Sequence, residues 1–346
     1  MLETRLPLAL SLLSLLVLAA CDDGTGGTDA AVADTGVGID AGTSDDAGAG
    51  VDAGADAGEG LDAGDVDAGG GLDAGGDVDA GGPSCGSARP DVSGIGGTEG
   101  LVIARDGTLY YSQTGAVGRL QPGGTPENAW VSVGGGTVWG LALDAANETL
   151  YVGVPGTGVR AIDLTAATPA ATTVATGGSP NGLTVGPDDA LYYSDFSAGR
   201  VYRLAPGGTP TEVTTTTIAS ANGVAFLPDG TLLVASYATG VLHRLTLTAG
   251  AETARATFAT GLGSADGLAL DADGNVYVGS QSSGGRLIRL SPDGSSPTTL
   301  LMNVRSIANV EFGAGPLTCT DLYVTSAGMM QRYEAGDVPG APVPWH

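Results

Sequence analysis

Short apolar runs separated by Gly- and Asp-rich turns recur along the chain from residue 85 onwards. The shared pattern is Gly-Leu, four residues, Asp-Gly, one residue, Leu-Tyr-Val, one residue and Ser. It returns about every 42 residues, and the sixth copy is the most divergent. A period in this range is typical of β-propeller blades. The residues that directly precede the six copies are Glu99, Trp139, Asn181, Asn222, Asp266 and Asn309.

Each copy has the pattern of a hairpin followed by two further strands. Two apolar runs flank an Asp-Gly or Asn-Glu turn, which is typical of a hairpin. A strand such as residues 200–204 follows, and a Thr-rich strand such as residues 172–174 completes the unit. The pattern therefore predicts an all-β fold, a six-bladed β-propeller with four-stranded blades, over residues 85–346. Residues 90–95 have no earlier blade to complete, so we expect them to complete the sixth blade and close the ring.

Residues 1–20 have the pattern of an export signal. Arg5 precedes an apolar run from Leu6 to Ala20, which is too short to span a bilayer as a stable helix. The run ends in Leu-Ala-Ala before Cys21, which resembles a bacterial lipobox. That resemblance implies lipidation of Cys21, so we expect an exported bacterial lipoprotein of the cell envelope, held on a membrane by acyl chains. An ordinary signal peptide with an incidental Cys is the alternative.

Residues 21–84 form a second region, built on Asp-Ala-Gly at irregular spacing. Residues 22–84 hold 15 Asp and one Glu, with no Arg and no aromatic residue. Such a segment has too little apolar surface to offset the entropy of ordering, and its charges repel one another. We therefore expect a disordered linker. The whole chain has a net charge of −25, which excludes a nucleic-acid binder that works through phosphate contacts.

Cys85 and Cys319 are the only cysteines besides Cys21. They lie at the two ends of the chain that forms the sixth blade. Because an exported protein meets an oxidising environment, we expect a disulfide between them across the ring closure. Two unpaired thiols are the alternative.

The six residues that precede the first strands should converge at one end of the ring, since each first strand lies next to the axis. Glu99 and Asp266 supply carboxylates, and Asn181, Asn222 and Asn309 supply amide oxygens. Such hard oxygen ligands suit Ca²⁺ or another divalent cation. The absence of His and Cys from this set disfavours zinc, copper and iron.

The repeats and these six residues together resemble the superfamily of senescence marker protein (regucalcin), gluconolactonase, diisopropyl fluorophosphatase and paraoxonase. Glu99-Gly100, Asn222-Gly223 and Asp266-Gly267 match the metal-ligand positions of that superfamily in order and spacing, and Asn181-Gly182 matches a fourth. The resemblance implies a divalent cation, Ca²⁺ in the first instance, and hydrolysis of lactones or related esters. Ser179-Pro180 stands where gluconolactonase-like members have a basic residue.

The resemblance also implies roles for the residues at this end of the ring. Glu99, Asn181, Asn222 and Asp266 would hold the cation, and Asp266 would also deprotonate water. Trp139 would form an apolar wall, while Asn181 and Asn309 would orient a small-molecule lactone or ester. The protein would act as a monomer. A non-catalytic propeller with the same repeat, binding a ligand or a partner protein, is the alternative function.

Overall fold

The computed structural model describes residues 85–282, 284–334, 336 and 338–341. The signal and lipidation site predicted for residues 1–21 and the linker predicted up to residue 84 lie outside the described residues. All regular structure in the described part is β. The strands are β1 (Gly96–Thr98), β2 (Leu101–Ile103), β3 (Leu109–Leu120), β4 (Glu127–Thr137), β5 (Leu141–Leu143), β6 (Thr149–Val154), β7 (Gly158–Asp163), β8 (Ala171–Thr176), β9 (Pro180–Val185), β10 (Leu191–Asp195), β11 (Arg200–Leu204), β12 (Thr211–Glu212), β13 (Ala221–Phe226), β14 (Leu232–Ser236), β15 (Val241–Thr248), β16 (Ala251–Ala259), β17 (Ala265–Leu270), β18 (Val276–Ser280), β19 (Arg286–Leu290), β20 (Thr298–Met302), β21 (Ile307–Phe312), β22 (Asp321–Ser326) and β23 (Gly328–Glu334).

These strands form six antiparallel sheets arranged as a ring. The sheets are β2–β4, β5–β8, β9–β12, β13–β16, β17–β20, and β21–β23 with β1 added at the outer edge. Their inner strands contact one another in the order β2, β5, β9, β13, β17 and β21, and β21 contacts β2 again. The predicted six-bladed β-propeller is therefore confirmed.

The first blade differs from the expected four strands, because its sheet has three. Its second and third strands, β3 and β4, are 12 and 11 residues long. β4 ends at Thr137, and only Val138 separates it from Trp139 at the start of the next blade. No chain is left there for a fourth strand.

The core lies between neighbouring blades. Val102 and Val117 of the first blade, for example, pack with Leu141, Leu150 and Ile162 of the second. Middle strands such as β10 and β14 are buried along their whole length because a blade covers each of their faces. This arrangement accounts for the continuous apolar runs of the repeat. A sheet with one face in solvent would instead show alternating apolar and polar residues.

The ring is closed by chain from the N-terminal side of the propeller, as predicted, although the strand lies later than expected. β1, residues 96–98, pairs with β23 of the sixth blade. The expected segment, residues 90–95, forms a turn instead. The Ser93 amide donates to the Asp91 side chain at 2.9 Å, the Ile95 amide donates to the Val92 carbonyl at 3.1 Å, and Pro90 has no amide to donate to a ladder.

The chain just before this turn also joins the sixth blade. The Gly86 and Ala88 amides donate to the carbonyls of Gly315 and Pro316 at 2.8 and 2.9 Å. A disulfide links Cys85 to Cys319, the pair singled out in the sequence, with Cα atoms 5.4 Å apart. Within the residues described, no helix is long and apolar enough to cross a membrane.

Candidate functional site

One cavity on the axis collects all six residues that precede the copies of the repeat. Two of them come just before the inner strands β2 and β5, and the other four lie within the first three residues of β9, β13, β17 and β21. Its lining includes Glu99, Trp139, Asn181, Asn222, Asp266 and Asn309, with apolar inner-strand residues such as Leu101 and Leu141 below them. The cavity volume of about 60 Å³ has room for an ion and one or two water-sized groups. The convergence expected from the repeat register is therefore what the structure has. We call these six residues the mouth residues.

The glycine after five of the mouth residues lets the inner strands pack this closely. A Cβ on Gly140, Gly182 or Gly223 would come within 1.7, 2.4 and 2.1 Å of the backbone carbonyl oxygen of the next mouth residue around the ring. Gly100 and Gly267 face equally close atoms, the Trp139 carbonyl oxygen and the Asn309 side chain. None of these five glycines has a positive φ. They are therefore required by contact between blades, although Asn-Gly and Asp-Gly are also common in turns.

Hydroxyl groups of the second strands hold the backbone of several mouth residues. Ser112 Oγ accepts hydrogen bonds from the amides of Glu99 and Gly100 at 2.6 and 2.9 Å. Thr325 Oγ1 accepts one from the Asn309 amide at 2.9 Å and donates one to the Glu99 carbonyl at 2.5 Å. The hydroxyls of Ser112 and Thr325 therefore position the backbone of Glu99 and Asn309 at this end of the ring.

The two carboxylates of the mouth lie in an environment that disfavours their charge. Burial raises the pKa of Glu99. Burial raises the pKa of Asp266 well above its usual range and the Glu99 charge raises it further, while hydrogen bonds from Gln281 and Asn222 lower it. Gln281 Nε2 donates to Asp266 Oδ2. No Arg is among the described residues that line the cavity, and the chain has no Lys. The described lining therefore offers these acids no basic side chain as a counter-charge.

The amides of the mouth are held differently from one another. Asn222 is buried, its side chain donates to Asp266, and its Oδ1 has no hydrogen-bond partner. Asn309 instead accepts from the Val310 amide at 2.9 Å and donates to the Leu101 carbonyl at 3.5 Å. An unpartnered oxygen beside a buried carboxylate suits a hard cation, because an uncompensated buried acceptor is unfavourable.

Only two of the six mouth residues, Glu99 and Asp266, are acidic. No three His, Cys, Asp or Glu side chains in the described part of the chain come together as metal ligands. A cation at the mouth would therefore rest on Glu99, Asp266 and amide oxygens, and Asn222 Oδ1 is the amide oxygen best placed for it. The residues present fit a Ca²⁺-type ion, which accepts amide oxygens alongside carboxylates.

Sequence reasoning missed four residues at or near this site: Phe196, Tyr237, Gln281 and Glu311. Glu311 lines the cavity from β21. The Phe196, Tyr237 and Gln281 amides donate to the carbonyls of Ser179, Ser220 and Ser264, each two residues before a mouth residue. These three therefore occupy equivalent positions at the rim, directly after a second strand. The signal available was position alone, since their residue types differ.

Comparisons with known proteins agree with this architecture. Residues 97–328 match the family model described as SMP-30/Gluconolactonase/LRE-like region. A gluconolactonase from Xanthomonas campestris has a similar fold at 20% identity, with a TM-score of 0.58 over 72% of this chain and 88% of that one. A calcium-binding regucalcin from Agrobacterium tumefaciens does so at 21% identity, with a TM-score of 0.59 over 72% and 93%. A luciferin-regenerating enzyme gives 19% identity and 0.59 over 72% and 95%. No curated protein sequence is significantly similar to the chain.

Proposed function

Since the chain belongs to the SMP-30/gluconolactonase/LRE-like family, we propose that it is a divalent-metal-dependent hydrolase of lactones or related esters. One observation carries the metal dependence. The buried Asp266 and the half-buried Glu99, both with raised pKa, and the unpartnered Asn222 Oδ1 line a single cavity that has no basic side chain among its described residues. A cation would satisfy all three groups at once.

Glu99, Asn181, Asn222 and Asp266 would hold the ion, with Ca²⁺ as the first choice. When bound, a divalent cation polarises the carbonyl of an ester and stabilises negative charge on its oxygen. Side chains of the protein would carry out proton transfer and orient the substrate.

Asp266 would take a proton from the water that attacks the lactone carbonyl, because it lines the cavity and a bound cation would keep it in the ionised form that a base needs. The attack opens the ring, so the products are a carboxylic acid and a hydroxyl group on one molecule. Gln281 holds Asp266 through Oδ2. Trp139 would form an apolar wall on the other side of the cavity. Asn181 would orient the substrate, whereas Asn309, bound to backbone on both sides, shapes the wall of the cavity.

The cell location is part of the proposal and depends on the sequence of residues 1–21. We propose that acyl chains on Cys21 hold the protein on a membrane of the bacterial cell envelope after export. Incorporation of labelled fatty acid that is lost in Cys21→Ser would support it. Full release of the wild-type protein without detergent would contradict it.

The experiment that tests the function measures hydrolysis of a lactone panel by the purified protein, with excess calcium and with chelator. We expect hydrolysis that requires the cation, and one bound metal ion by native mass spectrometry. Calcium at 100 times its dissociation constant should raise the free energy of unfolding by about 2.7 kcal/mol. Unchanged thermal stability in chelator, no bound metal and no hydrolysis would instead favour a non-catalytic propeller that binds a ligand or partner protein.

A further inference from the structure

Three aromatic rings form a continuous row on one side of the mouth. Trp139 precedes the second blade, Phe196 follows β10 of the third blade, and Tyr237 follows β14 of the fourth. The Trp139 and Phe196 rings meet edge to face with centroids 6.0 Å apart, and the Phe196 and Tyr237 rings do so at 5.7 Å. Phe196 therefore joins two rings that belong to different blades. We call these three residues the aromatic row.

The aromatic row lies at the level of the mouth. Phe196 and Tyr237 occupy the same rim position as Gln281, as their amide bonds to Ser179 and Ser220 show. From that position the Gln281 side chain reaches Asp266, so the rim position is within reach of a mouth residue. Trp139 itself lines the cavity. The row thus begins in the cavity and continues outwards across two blades.

All three rings are half-buried. They cover one another but keep apolar surface open towards solvent. The opposite side of the mouth carries Glu99, Asp266 and Gln281, which are acidic or polar. A substrate whose reacting carbonyl lies near Glu99 and Asp266 can therefore place its substituent over the rings of the second to fourth blades.

Charge restricts what that substituent is. No Arg is among the described residues that line the cavity, and Ser179-Pro180, directly before Asn181, carries no charged side chain. An anionic substituent would face Glu99 and Asp266 with no counter-ion from the protein. A neutral apolar substituent would gain contact area with the rings and lose little hydration.

We propose that the preferred substrates are uncharged lactones with an aromatic or branched-alkyl substituent, which the aromatic row binds, rather than polyhydroxylated or acidic lactones. This inference rests on the proposed lactone hydrolysis. Phe196 determines the specificity, because it contacts both other rings and lies outside the proposed metal-ligand set.

The test compares kcat/KM for three probes with the full-length protein in excess calcium: δ-valerolactone, δ-valerolactone with a phenyl group on its δ carbon, and glucono-δ-lactone. We expect the phenyl compound to be the best substrate. Phe196→Ala should lower kcat/KM for it by about tenfold, equivalent to about 1.4 kcal/mol, while leaving unsubstituted δ-valerolactone within about twofold. Most of the loss should be in KM, because the ring contributes binding and no chemistry.

Matched variants separate specificity from folding. Tyr202 belongs to the same blade as Phe196, but its ring stacks on Tyr193 and does not line the cavity. Tyr202→Ala should therefore leave unchanged the ratio of kcat/KM for the phenyl-substituted lactone to kcat/KM for δ-valerolactone. Phe196→Leu keeps apolar volume without the ring and should give an intermediate ratio even if Phe196→Ala does not fold. Equal rates for the phenyl and unsubstituted lactones, or a Phe196 variant that lowers both equally, would overturn the inference while leaving lactone hydrolysis in place.

Failure of the proposed function gives a different result. If no lactone is hydrolysed, calorimetric binding of the phenyl-substituted δ-lactam, which resists hydrolysis, still tests the aromatic row. Binding that weakens about tenfold in Phe196→Ala and is unaffected by Tyr202→Ala would support the site. No detectable lactam binding to the wild-type protein would overturn it.

Discussion

Asp266 is buried at the mouth with Glu99 close enough to raise its pKa, and the described cavity lining has no Arg to offset either charge. In the cation-free protein the folded chain therefore holds this proton to a higher pH than the unfolded chain, in which the pKa is near 3.8. The stability gained from the neutral carboxyl is complete below that value and is lost as pH rises through the folded-state pKa. A bound divalent cation would reverse this, because it favours the ionised form.

Asp266→Asn removes the titrating group and keeps the size of the side chain. In chelator we expect the variant to be more stable than the wild type near neutral pH, with a difference that shrinks as pH falls towards about 4. In excess calcium the order should invert, and lactone hydrolysis should fall by at least about 100-fold. Urea unfolding over a pH series, with and without calcium, measures both.

The control for this prediction is Asp273→Asn, which changes an exposed carboxylate in a turn of the same blade. It should show neither the pH-dependent gain in chelator nor the loss in calcium. If Asp266→Asn were also more stable than the wild type in excess calcium, a cation at the mouth would be contradicted and the non-catalytic propeller favoured.

The repeat register was enough to predict which residues meet at the mouth, since each stands at the same offset in its copy of the repeat. It did not predict the rim. Phe196, Tyr237 and Gln281 share a backbone position but no residue type, so no motif marks them. The unpartnered oxygen of Asn222 depends on the rotation of one amide, which no sequence pattern encodes.

At the scale of the strand, the mouth depends on glycines that keep neighbouring inner strands in contact. Gly223 lies inside β13 and Gly267 inside β17, so neither is a turn residue. Asn-Gly and Asp-Gly are common in turns, so the sequence alone does not show that these glycines lie within strands. Only the distance to the next strand decides between them. The same strand-level limit applied to blade closure, where Pro90 and an Asp91–Ser93 turn moved the strand to β1.

Gly223→Ala tests this contact directly. The added Cβ would lie 2.1 Å from the Asp266 carbonyl oxygen, a backbone atom that cannot rotate away. We expect a loss of about 3 kcal/mol in the free energy of unfolding and weaker calcium binding, because β17 has to shift and carries Asp266 with it. Denaturant unfolding and calcium titration measure the two effects.

Gly94→Ala is the matched control, since a Cβ there meets no atom within 4 Å and its φ is not positive. Its stability should stay within about 0.5 kcal/mol of the wild type. Equal losses in Gly94→Ala and Gly223→Ala would mean that contact between strands does not govern the glycine after a mouth residue.

At the scale of the whole molecule, the ring is held shut by two features of the sixth blade. β1 adds to β23 by hydrogen bonds, and the Cys85–Cys319 disulfide spans 234 residues of sequence. In the chain-entropy model a cross-link over so long a loop restricts the unfolded state strongly. The disulfide therefore contributes to the stability of every blade and not only of the one it touches.

Replacing both cysteines, as Cys85→Ser with Cys319→Ser, should lower the free energy of unfolding by about 2–4 kcal/mol while leaving the fold intact. Chemical denaturation of oxidised wild type and double variant measures the difference. A reducing agent should destabilise the wild type and leave the variant unchanged. Mass spectrometry of the exported protein should find the two cysteines in one linked peptide pair, and free thiols there would contradict the prediction.

The position of Cys85 also determines how the propeller bears a mechanical load. A pull on the chain before Cys85 divides at that residue, between the disulfide to Cys319 and the backbone that leads to β1. The disulfide branch is the shorter and stiffer one, so it carries most of the force. The backbone hydrogen bonds between residues 86–88 and 315–318 then carry little of it. Without the disulfide, the same force would break those hydrogen bonds one after another and then separate β1 from β23. A propeller attached through its N-terminal end can therefore bear a pulling force without losing the strand that closes its ring.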